Sequence, residues 1–536
     1  MSAIANPEDA PPPAGLPLAG VAISERRKLL VFAVMALGMF MALLDIQIVA
    51  ASLPEVVAGL SAGTSEGSWV QTAYLIAEIV MIPLSGFLSR ALSTRWLFTA
   101  SAAAFTVSSI ACGLAWNLEA MVLFRAIQGF VGGAMIPTAF ASGFLLFQGP
   151  KQALIPAILG ITGTLAPTLG PTLGGWITQA LSWHWLFFLN VVPGVLICVV
   201  IPLYGRIDAP DPSVLKGFDP WGIPLLALFL GTLQYLLEEG PRWDWLADPA
   251  NRFAALVSTV AGTLFFWRSF SHPRPVVDLR IFSRARFAIA CLFQFVLGVG
   301  LFTSIYLVPQ FLAQVRGYRS LEIGEAVFVT GLFQLIATPL AAAASRRFDP
   351  RHMIAFGFLL FAASMHLTAR LSSDWGRAEL FWPQGLRGFA MMFCIVPATN
   401  MALGGLPPAL IKTASGLSNL MRSLGGAVGI ALANTALNDR FQLHYARLGE
   451  LLNDRNHRVS EALARLGQIA AGLDADPGTQ QRLGLAALHR LLSREALTLS
   501  FADCFLLLSG LCLAVLLVLP LSRPIPPAAT APADAH

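Results

Sequence analysis

Runs of about 20 consecutive apolar residues, the length an α-helix needs to cross a hydrocarbon core of roughly 30 Å, recur along almost the whole chain. About fourteen can be counted. They cover residues 29–54, 69–89, 96–115, 120–147, 155–179, 185–203, 219–238, 252–270, 287–312, 323–345, 352–370, 380–405, 412–437 and 499–521. Segments twelve and thirteen are the most diluted, by Asn419, Arg422, Asn434 and a proline-rich flank. Of the 536 residues 56% are hydrophobic and 12% charged, against roughly 25% charged in a soluble domain. Surface grows too fast with chain length for a water-facing globule to hide such an excess. An ordinary soluble enzyme is excluded, and an all-α polytopic membrane protein is expected.

Residues 1–25 are polar and proline-rich, and the first apolar run follows Arg26, Arg27 and Lys28 with no small-residue cleavage site. That pattern predicts a retained transmembrane segment in place of a signal peptide. Lys and Arg counted over alternate short loops favour the side of the N-terminus by about three to one, which places both termini in the cytoplasm. The net charge of +5 is then a matter of membrane orientation, and no nucleic-acid partner is needed. The six cysteines and eight histidines show no metal-ligand, C-x-x-C or haem spacing; no metal and no cofactor are expected.

A faint duplication runs through the chain. Pro83-Leu84, Ser89-Arg90 and Arg95 recur at the same spacing as Pro339-Leu340, Ser345-Arg346 and Arg351, about 256 residues on. Gly129-Phe130 with Pro137 and Gly388-Phe389 with Pro397 share nearly that offset. Segments one to six therefore pair with nine to fourteen as a parallel repeat about an axis along the membrane normal, and seven and eight are an inserted hairpin. The expected division is a cytoplasmic tail 1–28, a six-helix bundle 29–203, a linker and hairpin 204–270, a second six-helix bundle 271–521 and a cytoplasmic tail 522–536. The hairpin turns through a short acidic outer loop that opens at Glu238-Glu239. The second bundle carries a polar outer stretch, 438–497, with amphipathic helical patterns at 459–466 and 483–492. That stretch is either a docking surface for an extra-membrane partner or a solvated cap.

A charge at bilayer depth costs about 2.5 to 3.5 kcal/mol on insertion scales, so each one is a functional candidate. Asp45 and Glu78 lie at similar depth from the outer side, with Arg125 near the outer end of segment four and Arg422 inside segment thirteen. Desolvation favours a carboxylate's protonated form and a nearby arginine its ionised form, so small movements swing its hold on a proton. Asp45, Glu78 and Arg125 are therefore the proton-coupling candidates, with a static Asp45–Arg125 pair as the alternative. Gln47, Gln71, Tyr74, Gln128, Gln294, Tyr306, Asn400, Asn419 and Arg422 are the candidates to line a substrate cavity. Segment five carries small-residue spacing interrupted by prolines, and Gly163, Pro167, Gly170, Pro171, Gly174 and Gly175 read as a gate or hinge.

These residues resemble the major facilitator superfamily, and within it the fourteen-spanner drug:proton antiporters, over nearly the whole chain. Leu44-Asp45 through Leu53-Pro54 resembles the first-helix motif of that group, and Arg125 with Gln128-Gly129 resembles its fourth-helix motif. Ala166-Pro167 through Gly174-Gly175 resembles its fifth-helix antiporter motif. The chain is further similar to the inner-membrane permease of an Emr-type tripartite efflux pump. The resemblance implies a major facilitator fold with about fourteen helices, in a bacterial inner membrane. It implies multidrug efflux of hydrophobic or amphipathic molecules by alternating access, with the proton as coupling ion. It also implies a periplasmic adaptor (a membrane fusion protein) and an outer-membrane channel as partners. Asp45 and Arg125 are carried over as coupling elements and the fifth-helix glycines and prolines as the gate.

One motif departs from the family. Where many facilitators read G-x-L-x-D-R-x-G-R-R after the second helix, this chain has Gly86, Ser89, Arg90 and Arg95 with no acid. A charge-relay gate of the usual kind is not expected there. A proton-coupled or facilitated transporter of a specific metabolite or organic acid is the alternative reading. Paired catalytic side chains of a polytopic enzyme are missing from the sequence, so a transporter, not an enzyme, is expected.

Overall fold

The computed structural model describes residues 24–147, 151–152, 154–450, 452, 461, 465 and 477–521. Fourteen helices follow one another in the places of the apolar runs: α1 Glu25–Ala51, α2 Trp69–Leu92, α3 Thr94–Gly113, α4 Leu118–Leu146, α5 Leu154–Ala180, α6 Trp185–Tyr204 and α7 Gly222–Glu239. They continue as α8 Pro249–Ser271, α9 Ala285–Gln314, α10 Ser320–Ala344, α11 Pro350–Thr368, α12 Arg377–Leu403, α13 Pro408–Glu450 and α14 Pro477–Ala514. Local chemistry sets several starts. Asn117 accepts from the Ala120 N–H at 2.9 Å ahead of α4, and Asp248 and Asp349 cap α8 and α11, each of which opens on a proline. Proline is tolerated there because its missing N–H is unpaired in any helix.

Among the described residues twelve of these helices are long and apolar enough to cross a membrane. The two that fall short are α7 and α11, diluted by Glu238 and Glu239 in one and by Arg351, His352 and His366 in the other. The most diluted spans are thus not twelve and thirteen, whose polar residues are spread along long helices. Glu238 and Glu239 belong to α7 itself, and neither sits in the outer loop expected to carry them. Of the stretch 438–497, residues 438–450 continue α13 and residues 477–497 belong to α14. At 1.5 Å per residue α13, with 43 residues, reaches about 65 Å, twice a hydrocarbon core. The pattern at 483–492 falls within α14; that at 459–466 lies outside the described residues but for Glu461 and Arg465. So do the tails, apart from 24–28.

Helix packing repeats between the halves. In the first, α1 packs on α5, α2 on α4, and α3 on α4 and α6; in the second, α9 packs on α13, α10 on α12, and α11 on α12 and α14. The halves meet along two seams of the same kind, α5 against α10 and α2 against α13. The symmetry stops at the hairpin, since α7 lies on α2 and α13 and so covers one seam. Its ends are tied by Asp219, which Arg268 of α8 grips at 2.7 and 2.5 Å. That guanidinium holds the Asp219 carboxyl below the usual carboxylate range. The tie is therefore in place above that range and is lost only as pH falls through the lowered value.

Call the side where α1 begins the proximal face and the other the distal face. At the proximal face a buried ion pair joins the halves. Lys412, at the start of α13, donates to Asp208 and, at 2.9 Å, to the Ser89 carbonyl. Asp208 also accepts the Thr94 N–H at 3.0 Å. An acid from the segment after α6 thereby stands beside the α2–α3 turn, whose own sequence has none.

The repeat rests on bare backbone contact. A Cβ on Gly129 would stand 2.2 Å from the Tyr74 carbonyl oxygen, and one on Gly388 would stand 2.1 Å from that of Thr330. Helices approach this closely only over glycine. Gly129→Val and Gly388→Val are each expected to destabilise the protein by about 1–3 kcal/mol or more through overpacking, read as a lower unfolding midpoint in detergent. Gly231→Ala, whose Cβ meets Ile76 at an ordinary 3.5 Å, is expected to leave the midpoint in place.

Candidate functional site

Two polar groupings stand at bilayer depth, one inside the N-terminal half and one between the halves. The first is closed. Asp45 and Arg125 are both buried and form an ion pair. Around them Gln128 donates to Asp45 at 3.1 Å and Asn190 donates to it at 2.7 Å. Both amides also donate to the Ser109 hydroxyl, at 3.2 and 2.9 Å, and Ser109 donates in turn to the Phe187 carbonyl at 2.9 Å. Arg125 gives its Nε–H to the Val70 carbonyl at 3.1 Å and lies over the Tyr74 ring, 4.3 Å from its centre. Removing one partner of such a pair costs roughly 3–5 kcal/mol, because a bare charge is left in low dielectric. Helices α1, α2, α3 and α4 and the start of α6 are thereby locked to one another.

The second grouping is open. A cavity of about 160 Å³ lies between the halves at the seam of α2 and α13. Gln47, Gln71, Glu78, Asn419 and Arg422 line it, together with Gly163 and Pro167 of α5. Its remaining wall is mainly aliphatic, from Leu43, Ile46 and Ile79 to Ile430. Arg422 donates to Asn419 and faces the Phe140 ring at 5.3 Å. No described base comes within 4.0 Å of Glu78. A carboxylate facing an apolar cavity without a counter-ion is the arrangement in which the proton itself becomes the available partner.

The expected cavity residues are thus divided. Tyr74 and Gln128 belong to the closed network, where Gln128 is needed by Asp45 and the Tyr74 ring by Arg125. Gln294 is turned to Thr399, to which it donates at 3.0 Å within the second half. Tyr306 donates to Asn434 at 3.0 Å and lines a separate distal cavity of about 700 Å³ between α9, α13 and α14. Asn400 lies near the proximal end of α12, where its carbonyl accepts the Gly404 N–H at 2.8 Å, and lines neither cavity. On α5, Gly163 and Pro167 face the central cavity. A Cβ on Gly170 would press on Gln47 at 2.6 Å, and one on Gly174 would press on Ser52 at 2.7 Å, so that face of α5 lies directly on α1. Pro171 is half-buried and Gly175 buried beside them.

Sequence reasoning missed four residues. Ser109 and Asn190 are ordinary polar residues in apolar runs, and only their convergence on Asp45 singles them out. Glu238 looks like loop chemistry from its neighbours, yet it lines the central cavity with Gln234. Arg387, fully buried in α12, was signalled by the duplication. The spacing that carries Gly129 onto Gly388 also carries Arg125 onto Gln384 and Gln128 onto Arg387. Here the arginine meets no acid. It donates to the Ser304 carbonyl at 2.9 Å and the Thr330 hydroxyl at 3.0 Å, and Thr330 donates to Gln384 at 2.9 Å.

Comparison with known proteins agrees with this architecture. Residues 35–430 match the model of the Major Facilitator Superfamily. The chain is 42% identical over 479 residues, 89% of its own length and 93% of the relative's, to the colistin resistance protein EmrB of Acinetobacter baumannii. It is 31% identical over 486 residues, again 89% and 93% of the two lengths, to the multidrug export protein EmrB of Escherichia coli. The crystal structure of human MFSD10 (TETRAN), an organic anion transporter, shares the fold with a TM-score of 0.56 at 16% identity, covering 90% of this chain and 99% of that one. A repeated pair of helical bundles, a cavity on their seam and a family match across most of the length come to one conclusion: the chain is a multi-pass integral membrane protein that belongs to the Major Facilitator Superfamily, among its EmrB-type permeases.

Proposed function

We propose that this protein exports hydrophobic or amphipathic small molecules from the cytoplasm in exchange for protons, as the inner-membrane permease of a tripartite efflux pump. The observation that carries this reading is Glu78. It stands on the wall of a mainly aliphatic cavity between the two bundles, with no described basic side chain within 4.0 Å. The cavity gives an apolar compound a place to reside, and the carboxylate gives a proton one. Arg125 of the closed network packs on α2, the helix that carries Glu78, at Val70 and Tyr74, so a change in the charge of Glu78 is felt by a network that ties α1, α2, α3, α4 and the start of α6. The names of the EmrB relatives, one for multidrug export and one for colistin resistance, agree with export of membrane-active compounds.

Both termini lie in the cytoplasm in this reading, which makes the proximal face the inner one. The extension of α13 and α14 beyond the bilayer on the distal face is then periplasmic and suits a helical adaptor that leads to an outer-membrane channel. Alternating access requires the halves to separate at each face in turn. At the inner face that means parting Lys412 from Asp208 and Ser89.

In proteoliposomes holding the purified protein, adding a substrate is expected to move protons in the wild type, with the movement lost in Glu78→Gln and reduced in Asp45→Asn. Normal proton-driven transport by the double variant would refute the coupling scheme. Proton-independent exchange of organic acids in its place would shift the reading to a metabolite facilitator. The inner-face lock is tested separately. A cysteine placed at Ser89 is expected to react with a membrane-impermeant maleimide several-fold faster when Lys412→Met removes the ion pair, and unchanged labelling would leave the lock without a role in opening.

A further inference from the structure

We propose that the inserted helix α7 is part of the cargo site, and that Glu238 is the group through which the cavity selects lipophilic organic cations. The proposal deepens the export reading and rests on it for the identity of the cavity.

An inserted hairpin with a purely peripheral role would place lipid-facing residues outward and packing residues inward. On α7 the inward residues at one turn's spacing are Gln234 and Glu238, and both line the cavity that holds Glu78 and Arg422. The helix reaches it because it lies across the seam of α2 and α13, in contact with both. Among the described residues, the hairpin makes no comparable contact with the opposite seam, α5 against α10.

The polar atoms α7 brings are incompletely satisfied. One Glu238 oxygen accepts from the Gln234 amide at 3.0 Å. The Gln234 Oε1 is buried and meets no hydrogen-bond donor, on a residue that is 4% exposed. No described lysine, arginine or histidine lies within 4.0 Å of Glu238. Arg422 offers no relief, because it is engaged with Asn419 and the Phe140 face. The cavity therefore presents two carboxylates and the unpartnered amide oxygens of Gln71 and Gln234 against one arginine that is already held.

A half-buried acid on an aliphatic wall is stabilised by a positive charge that arrives with its own apolar surface. A metal ion does not suit it, since hard cations need six or more oxygen ligands and the walls beside Gln234 and Glu238 are largely aliphatic. An organic anion is opposed by the same carboxylates. A quaternary ammonium or similar lipophilic monocation matches both the charge and the walls. Glu78, on a helix bound to the Asp45–Arg125 network, is left for the proton, while Glu238, on a helix outside the repeat, reads the cargo.

The test compares benzyltrimethylammonium with 3-phenylpropionate, probes of similar size and opposite charge, by titration calorimetry on the purified full-length protein in a non-ionic detergent. The wild type is expected to prefer the cation. Glu238→Gln is expected to weaken cation binding about tenfold or more, the loss of one charge-assisted contact, and to leave the anion unchanged or slightly better bound. Glu238→Asp, which keeps the charge, should stay within about threefold of the wild type, and Glu78→Gln should retain the preference for the cation. Unfolding midpoints equal to wild type separate a lost charge from a lost fold. Equal cation affinity in wild type and Glu238→Gln, no charge preference in the wild type, or loss of that preference in Glu78→Gln alone would each overturn the proposal. Because binding is read without a gradient, failure of proton coupling in proteoliposomes would remove the antiport reading and leave the role of Glu238 standing.

Discussion

A charge in lipid has no water to fall back on, and this molecule is organised by how each of its buried charges is answered. Asp45 and Arg125 answer one another, and five further polar groups complete the arrangement. Removing either charge would strand the other, so α1, α2, α3, α4 and the start of α6 have to move together. Lys412 and Asp208 do the same across the two halves, at one face only. Among the described residues that are buried, two charges meet no opposite charge: Glu78, on the cavity at the seam between the halves, and Arg387, in the second half.

The internal duplication makes that imbalance legible. Helix pairing and the glycine contacts of Gly129 on Tyr74 and Gly388 on Thr330 repeat from one half to the other. The electrostatics do not. The arginine and glutamine of α4 reappear in α12 with their places exchanged, and the carboxylate is absent, so Arg387 is held by a carbonyl and a hydroxyl alone. Packing by backbone approach is indifferent to side-chain charge and survives divergence. A buried ion pair fails when one member is lost, unless neutral groups take up the remaining hydrogen bonds, as Ser304 and Thr330 do here.

The same distinction governs how much could be read from the sequence. Apolar run length located twelve of the fourteen helices within a few residues, because the thickness of the hydrocarbon core leaves little choice, and missed only the polar extensions of α13 to Glu450 and of α14 back to Pro477. Asp45, Glu78 and Arg125 were legible as charges in apolar runs. What the sequence did not show was which polar residues share a space. Gln47 and Asn419 look no different in sequence from Gln294 and Asn400, yet the first two line the cavity and the last two do not, since a helix's rotation about its axis is set by its neighbours. Glu238 was assigned to a loop for the opposite reason: two adjacent acids before Gly-Pro look like a helix end. The helix does end there, but with Glu238 turned inward.

The inserted hairpin brings these points together. Two parallel six-helix repeats alone would produce two equivalent seams, and equivalent seams give an entering compound two equivalent sides to approach. Covering one seam with α7 breaks that equivalence without disturbing either bundle, because α7 adds contacts to α2 and α13 and replaces none of those within the repeat. It also sets carboxylates from two evolutionary layers of the chain, Glu78 of the repeat and Glu238 of the insertion, around one space. Both acids line that space with no described base within 4.0 Å, and a carboxylate so placed is relieved either by taking up a proton or by an arriving cation. Competition between those two remedies is a sufficient physical basis for exchanging a proton for a positively charged cargo, and it requires no contact between cargo and the closed Asp45–Arg125 network.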